Sequence, residues 1–161
     1  MFLVLKTNPD KGKSIYTSKK IKKGRLVIQQ RGRKVNFEEA KTYDQNYMLE
    51  INKNTLMLAS NSLDDYINHS CDPNCRLSFR RNKVYLVAIR DINENEEITF
   101  DYMTSTSYEG MTTFKNWVFD CSCHSDLCQK KVTCAEFLPI ERLKYYNSIN
   151  ALSPHIKYKL R

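Results

Sequence analysis

Three cysteines stand within eight positions of one another at Cys121, Cys123 and Cys128. This spacing can bring their sulfurs within about 4 Å of one another around one tetrahedral zinc ion, with Zn–S bonds of about 2.3 Å. The alternative is a set of unpaired thiols, or one strained disulfide with a thiol left over. A tetrahedral structural site needs four ligands, so the chain must supply another from elsewhere. The candidates for the fourth ligand are Cys71, Cys75, Cys134 and His124, among which spacing alone does not decide.

The composition is that of one compact globular domain. A chain of 161 residues is long enough for one hydrophobic core and too short for two well-separated ones. Hydrophobic residues make up 41% and charged residues 27%, which excludes a disordered or collagen-like chain. No apolar run approaches the roughly 20 residues that span a bilayer, and residues 1–5 lack the basic lead-in of a secretory signal. We therefore expect an intracellular monomer without a membrane partner, whose cysteines stay reduced and pack or bind metal.

Short runs rich in β-branched and aromatic residues dominate the first hundred positions. They predict strands at 2–5, 26–30, 47–51, 55–59, 75–79, 84–89 and 97–102. Helix signals are sparser, with one or two turns near 37–42 and a longer helix at 139–147. Ser153 and Pro154 provide an N-cap and a first-turn proline for a further short helix. The chain is thus predicted to be mostly β, with short helices at its C-terminal end.

Charge is distributed unevenly along the chain. Between Asp10 and Glu38 there are ten lysines or arginines and no acid. This segment is either a solvated face that favours solubility or a surface for nucleic acid or another polyanion. The segment from Asp64 to Asp101 has eight acids against five basic residues, so it would favour a cationic ligand.

Two further motifs could carry chemistry. The run NHSCDPNC at 68–75 combines turn-forming residues with polar side chains that bind either their own backbone, the commoner case, or a ligand. The run EEITFDY at 96–102 reads as a strand that ends in tyrosine. A tyrosine at a strand end is usually a core residue with its hydroxyl satisfied, so this motif alone argues little.

Taken together and in order, these two motifs and the cysteine cluster resemble the SET domain of protein-lysine methyltransferases, followed by its post-SET zinc segment. Residues 12–16 resemble the N-terminal glycine motif of that family, and Tyr47 stands in a run similar to its tyrosine-bearing strand. The resemblance implies several short sheets with a threaded pseudoknot, short helices and a C-terminal zinc annex. The implied divisions are a SET domain at 1–110, a post-SET zinc-binding segment at 111–135 and a helical tail at 136–161.

The resemblance implies methyl transfer from S-adenosylmethionine to a lysine amine in a protein, with histones as the family's usual target. Free lysine has a pKa of about 10.4, so the site must desolvate the amine to obtain the neutral nucleophile. Tyr102 is the predicted catalytic hydroxyl, and Tyr47 and Phe100 complete an aromatic channel that tolerates the methylated product. The implied cofactor contacts are Gly12, Lys13, Ser14, Tyr16, Asn68, His69 and Tyr102. The implied zinc ligands are Cys71, Cys121, Cys123 and Cys128.

Two departures from the family pattern support a different hypothesis. Ser14 stands where the family has its second glycine, and Asp64 and Asp65 replace an arginine upstream of the asparagine–histidine pair. The alternative is a catalytically weak or inactive SET-like module, stapled by zinc, that binds a peptide or nucleic acid. For the enzyme, we expect the nucleus in a eukaryote, and otherwise the cytoplasm or a host cell.

Overall fold

The computed structural model describes residues 2–81, 83–114 and 117–159. The strands within these ranges are β1 (Leu3–Asn8), β2 (Gly12–Thr17), β3 (Leu26–Gln30), β4 (Lys34–Val35), β5 (Leu49–Asn52), β6 (Thr55–Met57), β7 (Asn68–His69), β8 (Cys75–Arg80), β9 (Lys83–Ala88), β10 (Thr99–Phe100), β11 (Phe119–Asp120) and β12 (Lys131–Val132). The α-helices are α1 (Phe37–Ala40), α2 (Tyr108–Thr113), α3 (Ile140–Ser148) and α4 (Pro154–Lys159). Short 3-10 helices occupy Leu63–Tyr66, Tyr102–Thr104 and Ala135–Phe137.

The strands form five small sheets instead of one large one. Two of them have three strands, in the orders β3-β9-β8 and β4-β6-β5, and the others are the pairs β1-β2, β7-β10 and β11-β12. The pair β7-β10 is parallel and aligns Thr99 with Asn68 and Phe100 with His69. This pairing places the polar run at 68–75 beside the glutamate-rich run at 96–102. The predicted mostly β architecture of several small sheets is confirmed.

The sheets share one main core and the C-terminal tail has a second. In the main core, Ile15, Leu77 and Leu86 are fully buried at the interface of the small sheets. The tail packs Tyr146 and Leu152 against Met103, which directly follows Tyr102. Tyr102 contacts both clusters, so it lies where the two cores meet. None of the helices within the described ranges has the length and apolar character that crossing a lipid bilayer requires.

Most predicted elements are present, and two assignments are corrected. The predicted helices at 37–42 and 139–147 correspond to α1 and α3, and the helix after Ser153 corresponds to α4. The strand predicted at 97–102 is only two residues long, because the Asp101 side chain accepts the backbone N–H of Met103 and starts a 3-10 helix. The 12–16 run, read as a glycine motif, is also part of strand β2, which pairs with β1 along its whole length.

The turn between β3 and β4 requires glycine at position 32. Gly32 has a φ of 149°, and a Cβ there would collide with the Leu58 carbonyl and lie 2.7 Å from Met57 Cγ. We expect Gly32→Ala to lower the free energy of unfolding by about 3 kcal/mol, measured by urea denaturation. Gly24→Ala is the matched control, since Gly24 also has a positive φ but a methyl group there would meet no atom within 4 Å, and about 1–2 kcal/mol is expected. Equal losses in the two variants would contradict the steric explanation.

Candidate functional site

Four cysteines from two distant segments form one cluster. The sulfurs of Cys71, Cys121, Cys123 and Cys128 all lie within 4.8 Å of one another. Cys71 Sγ and Cys121 Sγ are 3.8 Å apart, which matches the separation of about 3.8 Å between ligands at 2.3 Å from a tetrahedral zinc ion. Four thiols at this spacing fit zinc in both number and chemistry. The cluster joins the loop after β7 to the loop between β11 and β12.

Backbone hydrogen-bond donors reach two of these sulfurs, while burial opposes ionisation of Cys71 and Cys121. The backbone N–H of Gln129 donates to Cys71 Sγ at 3.3 Å, and that of Lys130 donates to Cys128 Sγ at 3.4 Å. Burial raises the pKa of Cys71, and it raises that of Cys121 to about 11. Desolvation also opposes ionisation of Cys123, but hydrogen bonds from Ser125, with further ones from Cys71 and Cys121, lower the pKa of that thiol to about 6. Thiolates are the form that binds zinc, so a metal ion would displace the protons of Cys71 and Cys121, whereas Cys123 already favours the ionised form.

The other candidates for the fourth ligand lie elsewhere. Cys75 and Cys134 are buried outside the group that the described residues form. His124 is exposed, and its Nε2 lies 3.1 Å from a carboxylate oxygen of Asp10. The structure therefore brings Cys71 to the three clustered cysteines, as the family resemblance implied and spacing alone could not decide.

Tyr102 occupies the centre of the site. Its hydroxyl donates to the carbonyl of Ile67 at 2.8 Å, and its backbone N–H donates to His69 Nδ1 at 3.2 Å. Its ring lies 4.9 Å from that of Phe100 and 6.3 Å from that of Phe119, measured between centroids. Burial, with a smaller contribution from the charge of Glu97, raises the pKa of Tyr102, so its hydroxyl stays protonated at neutral pH.

Three pockets meet at Tyr102 and Phe119, which line all of them. The first, which we call the narrow channel, has a volume of about 90 Å³ and is also lined by Tyr47, Phe100 and Trp117. The other two, which we call the open cleft, have volumes of about 490 and 280 Å³. Volumes of several hundred cubic ångströms are typical of small-molecule sites. A narrow channel and a wider cleft thus adjoin each other at Tyr102 and Phe119.

The structure brings most of the predicted site residues to these pockets. Tyr47, Phe100 and Tyr102 share the narrow channel, as the resemblance implied. Lys13, Asn68, His69 and Tyr102 line the open cleft. Gly12 and Ser14 flank Lys13, and Gly12 adopts a φ of 73° that favours glycine. Tyr16 is placed apart from the cleft, with its ring 5.0 Å from Lys6 Nζ and its hydroxyl accepting from Asn8.

Ser14 is built into the network that holds Asn68. The amide nitrogen of Asn68 donates to Ser14 Oγ at 2.7 Å and to a carboxylate oxygen of Glu97 at 3.0 Å. The other oxygen of Glu97 accepts from Lys11 Nζ at 2.9 Å. The serine hydroxyl therefore serves as a hydrogen-bond partner, and this departure from the family pattern does not disrupt the local structure.

Asp64 and Asp65, the second departure from the family pattern, have structural roles. Asp64 accepts the backbone N–H of Arg31 at 2.6 Å, and Asp65 accepts that of Ser60 at 2.9 Å. Both carboxylates also line the narrow channel. Desolvation raises the pKa of Asp65, and its backbone donors oppose that shift. The carboxylates of Asp64 and Asp65 thus accept hydrogen bonds from backbone groups inside the protein.

Trp117, Phe119 and Gln30 are among the residues of the narrow channel that sequence reasoning missed. Trp117 and Phe119 belong to the connection before the cysteine cluster, and the Trp117 indole donates to the carbonyl of Gln45 at 3.0 Å. The aromatic run before Cys121 was the available signal for them. Gln30 also lines the channel, and its buried Nε2 has no hydrogen-bond partner among the described residues. Nothing in the sequence distinguishes Gln30 from its neighbour Gln29.

Comparisons with known proteins agree with this geometry. The model of the SET domain family matches residues 12–103. The H3 lysine-9-specific histone-lysine N-methyltransferase KMT1 of Fusarium mangiferae is 27% identical over 157 residues, which cover 76% of this chain and 46% of that protein. A protein of Acanthamoeba polyphaga mimivirus named as SET domain-containing is 30% identical over 150 residues, which cover 88% of this chain and 57% of that protein.

One solved structure has a similar fold. The crystal structure of KRYPTONITE in complex with mCHG DNA and SAH superposes with a TM-score of 0.66 and 24% identity, over 80% of this chain and 28% of that chain. The matched regions cover between 28% and 57% of the length of these three proteins.

The cysteine cluster generates a metal-content prediction. We expect the purified protein to hold one zinc ion per chain, measured by elemental analysis, because four sulfurs at tetrahedral spacing form a closed site. Cys71→Ser should lose most of the metal. Cys75→Ser is the matched control, since Cys75 is equally buried but lies outside the cluster, and it should keep a full equivalent. Full zinc in Cys71→Ser with loss in Cys75→Ser, or no zinc in the parent, would contradict the assignment.

Proposed function

The chain belongs to the SET-domain family, and on this basis we propose that it transfers methyl groups from S-adenosylmethionine to a lysine side chain of a protein. The observation that carries the proposal is the position of Tyr102, which lines both the narrow channel and the open cleft. The proposal assigns the lysine to the channel and S-adenosylmethionine to the cleft, so that the two reactants meet at Tyr102.

The chemistry needs a neutral amine, which the channel would provide. S-adenosylmethionine supplies a methyl group on a sulfonium, and the amine nitrogen forms its new C–N bond as the S–C bond breaks. An ammonium cannot act as the nucleophile, so the lysine must first release a proton to solvent. The aromatic side chains of Tyr47, Phe100 and Trp117 would limit the access of water to the amine and lower its pKa, against the opposing charge of Asp64 and Asp65 in the same channel. Their ring faces also tolerate the positive charge of the product.

Tyr102 is proposed to orient the amine. Its hydroxyl proton is committed to the Ile67 carbonyl, which leaves the oxygen as an acceptor for an N–H of the lysine. The raised pKa keeps the residue neutral, and it donates no proton to the reaction. Alignment and fixed dipoles would supply most of the rate enhancement, without a covalent enzyme intermediate.

The cleft offers suitable contacts for S-adenosylmethionine. Lys11 and Lys13 provide positive charge for its carboxylate, and Asn68 and His69 line the same cleft. We propose Gly12, Lys13, Ser14, Asn68, His69 and Tyr102 as the cofactor contacts. The position of Tyr16 supports a role in the β1–β2 hairpin instead. Zinc bound by the four cysteines would hold the loop after β7 against Phe119 and the wall of the cleft.

A basic peptide, such as a histone tail, is the proposed substrate. The relative from Fusarium mangiferae is named for histone H3 lysine 9. Strand β5 is at an edge of its sheet, and Leu49 and Glu50 of this strand line the narrow channel. A peptide could add beside β5 through main-chain hydrogen bonds, with its lysine entering the channel. A histone substrate would place the protein in the nucleus of a eukaryote or of a host cell.

The direct test is transfer of labelled methyl from S-adenosylmethionine to histones, nucleosomes and total cell protein, with mass spectrometry of the modified lysines. Methylated lysine in any of these supports the proposal. Binding of S-adenosylmethionine by calorimetry without transfer to any of them would favour the catalytically inactive module instead.

Tyr102→Phe should lower turnover at least a hundredfold, a loss of about 2.7 kcal/mol of transition-state stabilisation, because it removes the proposed acceptor for the amine. Affinity for S-adenosylmethionine, measured by calorimetry, should stay nearly unchanged. Tyr16→Phe is the matched control, since it removes a tyrosine hydroxyl outside the pockets, and it should keep parental turnover. Parental turnover in Tyr102→Phe would refute the role assigned to this hydroxyl.

A nucleic-acid contact is proposed for the loop between β2 and β3. This loop exposes Lys19, Lys20, Lys22, Lys23 and Arg25. Asp91 forms ion pairs with Lys20 at 3.5 Å and Lys22 at 3.1 Å and neutralises only part of this charge. The loop would approach phosphates as a compact cationic patch.

Lys22→Gln combined with Lys23→Gln should weaken binding to labelled duplex DNA. If each lysine displaces about one counterion, the slope of log affinity against log salt should fall by roughly 1.8 in magnitude. Lys41→Gln combined with Lys144→Gln is the control, because both lysines are exposed on α-helical surfaces away from the loop. Equal salt slopes for the parent and the loop variant would exclude this loop as a phosphate-binding surface.

A further inference from the structure

A buried carboxylate lies between two residues of the proposed active site. Asp101 is 1% exposed and separates the channel residue Phe100 from Tyr102. One of its oxygens accepts the backbone N–H of Met103 at 3.0 Å. The other accepts the hydroxyl of Tyr146 at 2.7 Å. A carboxylate with so little access to water keeps its charge only if hydrogen bonds and a cation compensate it.

The compensating cation comes from the C-terminal tail. Arg142, on α3, places Nη2 3.3 Å from Asp101 Oδ2. Among the described residues, no other lysine or arginine lies within ion-pair distance of the Asp101 carboxylate. His69 Nδ1 is 3.5 Å away, but it accepts the N–H of Tyr102 and so acts as a neutral acceptor. The charge of Asp101 is therefore balanced by a residue about forty positions later in the chain, outside the segment that the family model matches.

The same guanidinium also binds the opposite segment of the site. Arg142 Nη2 donates to the backbone carbonyl of Cys71, in the loop that follows β7. It further donates to the hydroxyl of Tyr146, one helical turn away, which in turn donates to Asp101. One side chain thus connects Asp101, between β10 and the 3-10 helix that begins at Tyr102, to Cys71 in the loop that follows Asn68 and His69 of β7. This connection needs no metal ion.

The helix that carries these residues is firmly placed. Tyr146 is 1% exposed and packs in the second core with Met103 and Leu152. The backbone N–H of Ser153 donates to the carbonyl of Thr104 at 2.9 Å. At the next helix, His155 Nε2 lies 2.8 Å from Glu50, a residue of the narrow channel. The tail therefore contacts the residues that follow Tyr102 and also the strand that lines the channel.

We propose that Arg142 and Tyr146 are positioning residues for methyl transfer. They would act through Asp101 on Tyr102, and through Cys71 on the loop after β7, which follows the proposed cofactor contacts Asn68 and His69. The inference rests on the proposed function and extends it to the tail at 136–161. Without Arg142, the charge of Asp101 would be unpaired in the interior, and the segment that follows Phe100 would have to move to reach water. The Tyr102 hydroxyl would then lose its fixed position beside Ile67.

Turnover of single and double variants tests this mechanism. Arg142→Met should lower kcat at least tenfold, with less than a threefold change in KM for the protein substrate. Lys144→Met is the matched control, because Lys144 lies on the same helix and pairs with Glu141 on the surface, and it should keep parental kcat. The double variant Asp101→Asn with Arg142→Met should be no slower than Arg142→Met alone, because it removes the unpaired charge. Losses that multiply would show that the two residues act independently and would overturn the proposal.

Hydrogen exchange tests the same proposal without requiring any activity. Amides at 68–72 and 101–106 should exchange at least tenfold faster in Arg142→Met than in the parent and in Lys144→Met. An inactive parent would refute the proposed methyl transfer, while the exchange rates would still decide whether Arg142 orders these segments. Parental exchange and parental kcat in Arg142→Met would overturn the inference.

Tyr146→Phe provides a milder variant in case Arg142→Met does not fold. It keeps the buried ring and removes only the hydroxyl that bridges Arg142 and Asp101. We expect kcat to fall at least threefold, with faster exchange at 101–106. Tyr145→Phe is its control, since Tyr145 is an exposed neighbour on the same helix. Identical behaviour of the two tyrosine variants would count against the proposal.

Discussion

The parallel pairing of β7 with β10 is the contact on which the site depends, and it is only two residues long. A ladder of this length provides few backbone hydrogen bonds, so it needs support from side chains. Asn74, in the loop between β7 and β8, supplies that support. Its amide donates to the carbonyl of Glu97 at 2.7 Å and accepts the N–H of Thr99 at 3.0 Å. A buried asparagine thereby acts as a further strand residue beside 97–99, and both of its polar atoms are satisfied.

Two further connections act on the same junction from different sides. The cysteine cluster ties the loop after β7 to residues 121–128, and Arg142 ties that loop to the end of β10. His69 acts at the same junction. Its Nδ1 accepts the backbone N–H of Tyr102, and its Nε2 faces Cys71 Sγ at 3.3 Å. Since Nδ1 accepts a hydrogen bond, the proton of the neutral ring lies on Nε2 and points toward the sulfur. The histidine ring thus links the cysteine cluster to the central tyrosine, beyond any contact it makes with a cofactor.

Local sequence patterns were sufficient for the elements and insufficient for the contacts between them. Strands at 26–30 and 75–79 and the three clustered cysteines follow from periodicity and spacing, which depend on neighbouring residues. The choice of Cys71 over Cys75 depends on which loop approaches the zinc segment, and only a resemblance or a structure provides that information. Gln30 and Arg142 were not recognised as residues of the site for the same reason, because the residues that surround them there are distant in sequence. The end of the strand at Asp101 was missed because a side-chain cap competes with continued pairing.

Tyr102 lies between the main β core and a smaller core formed by the C-terminal tail. The β core contains Ile15, Leu77 and Leu86 and extends over four of the small sheets, whereas the tail core is smaller and centres on Tyr146. Proteins open in cooperative units, and the unit that buries less apolar area opens more readily. Opening of the tail would remove Arg142 from Asp101 while leaving the β core folded. A chain that retains its spectroscopic β signature could therefore have lost the alignment of its tyrosine, which makes the tail a point of control over the site as well as a contribution to stability.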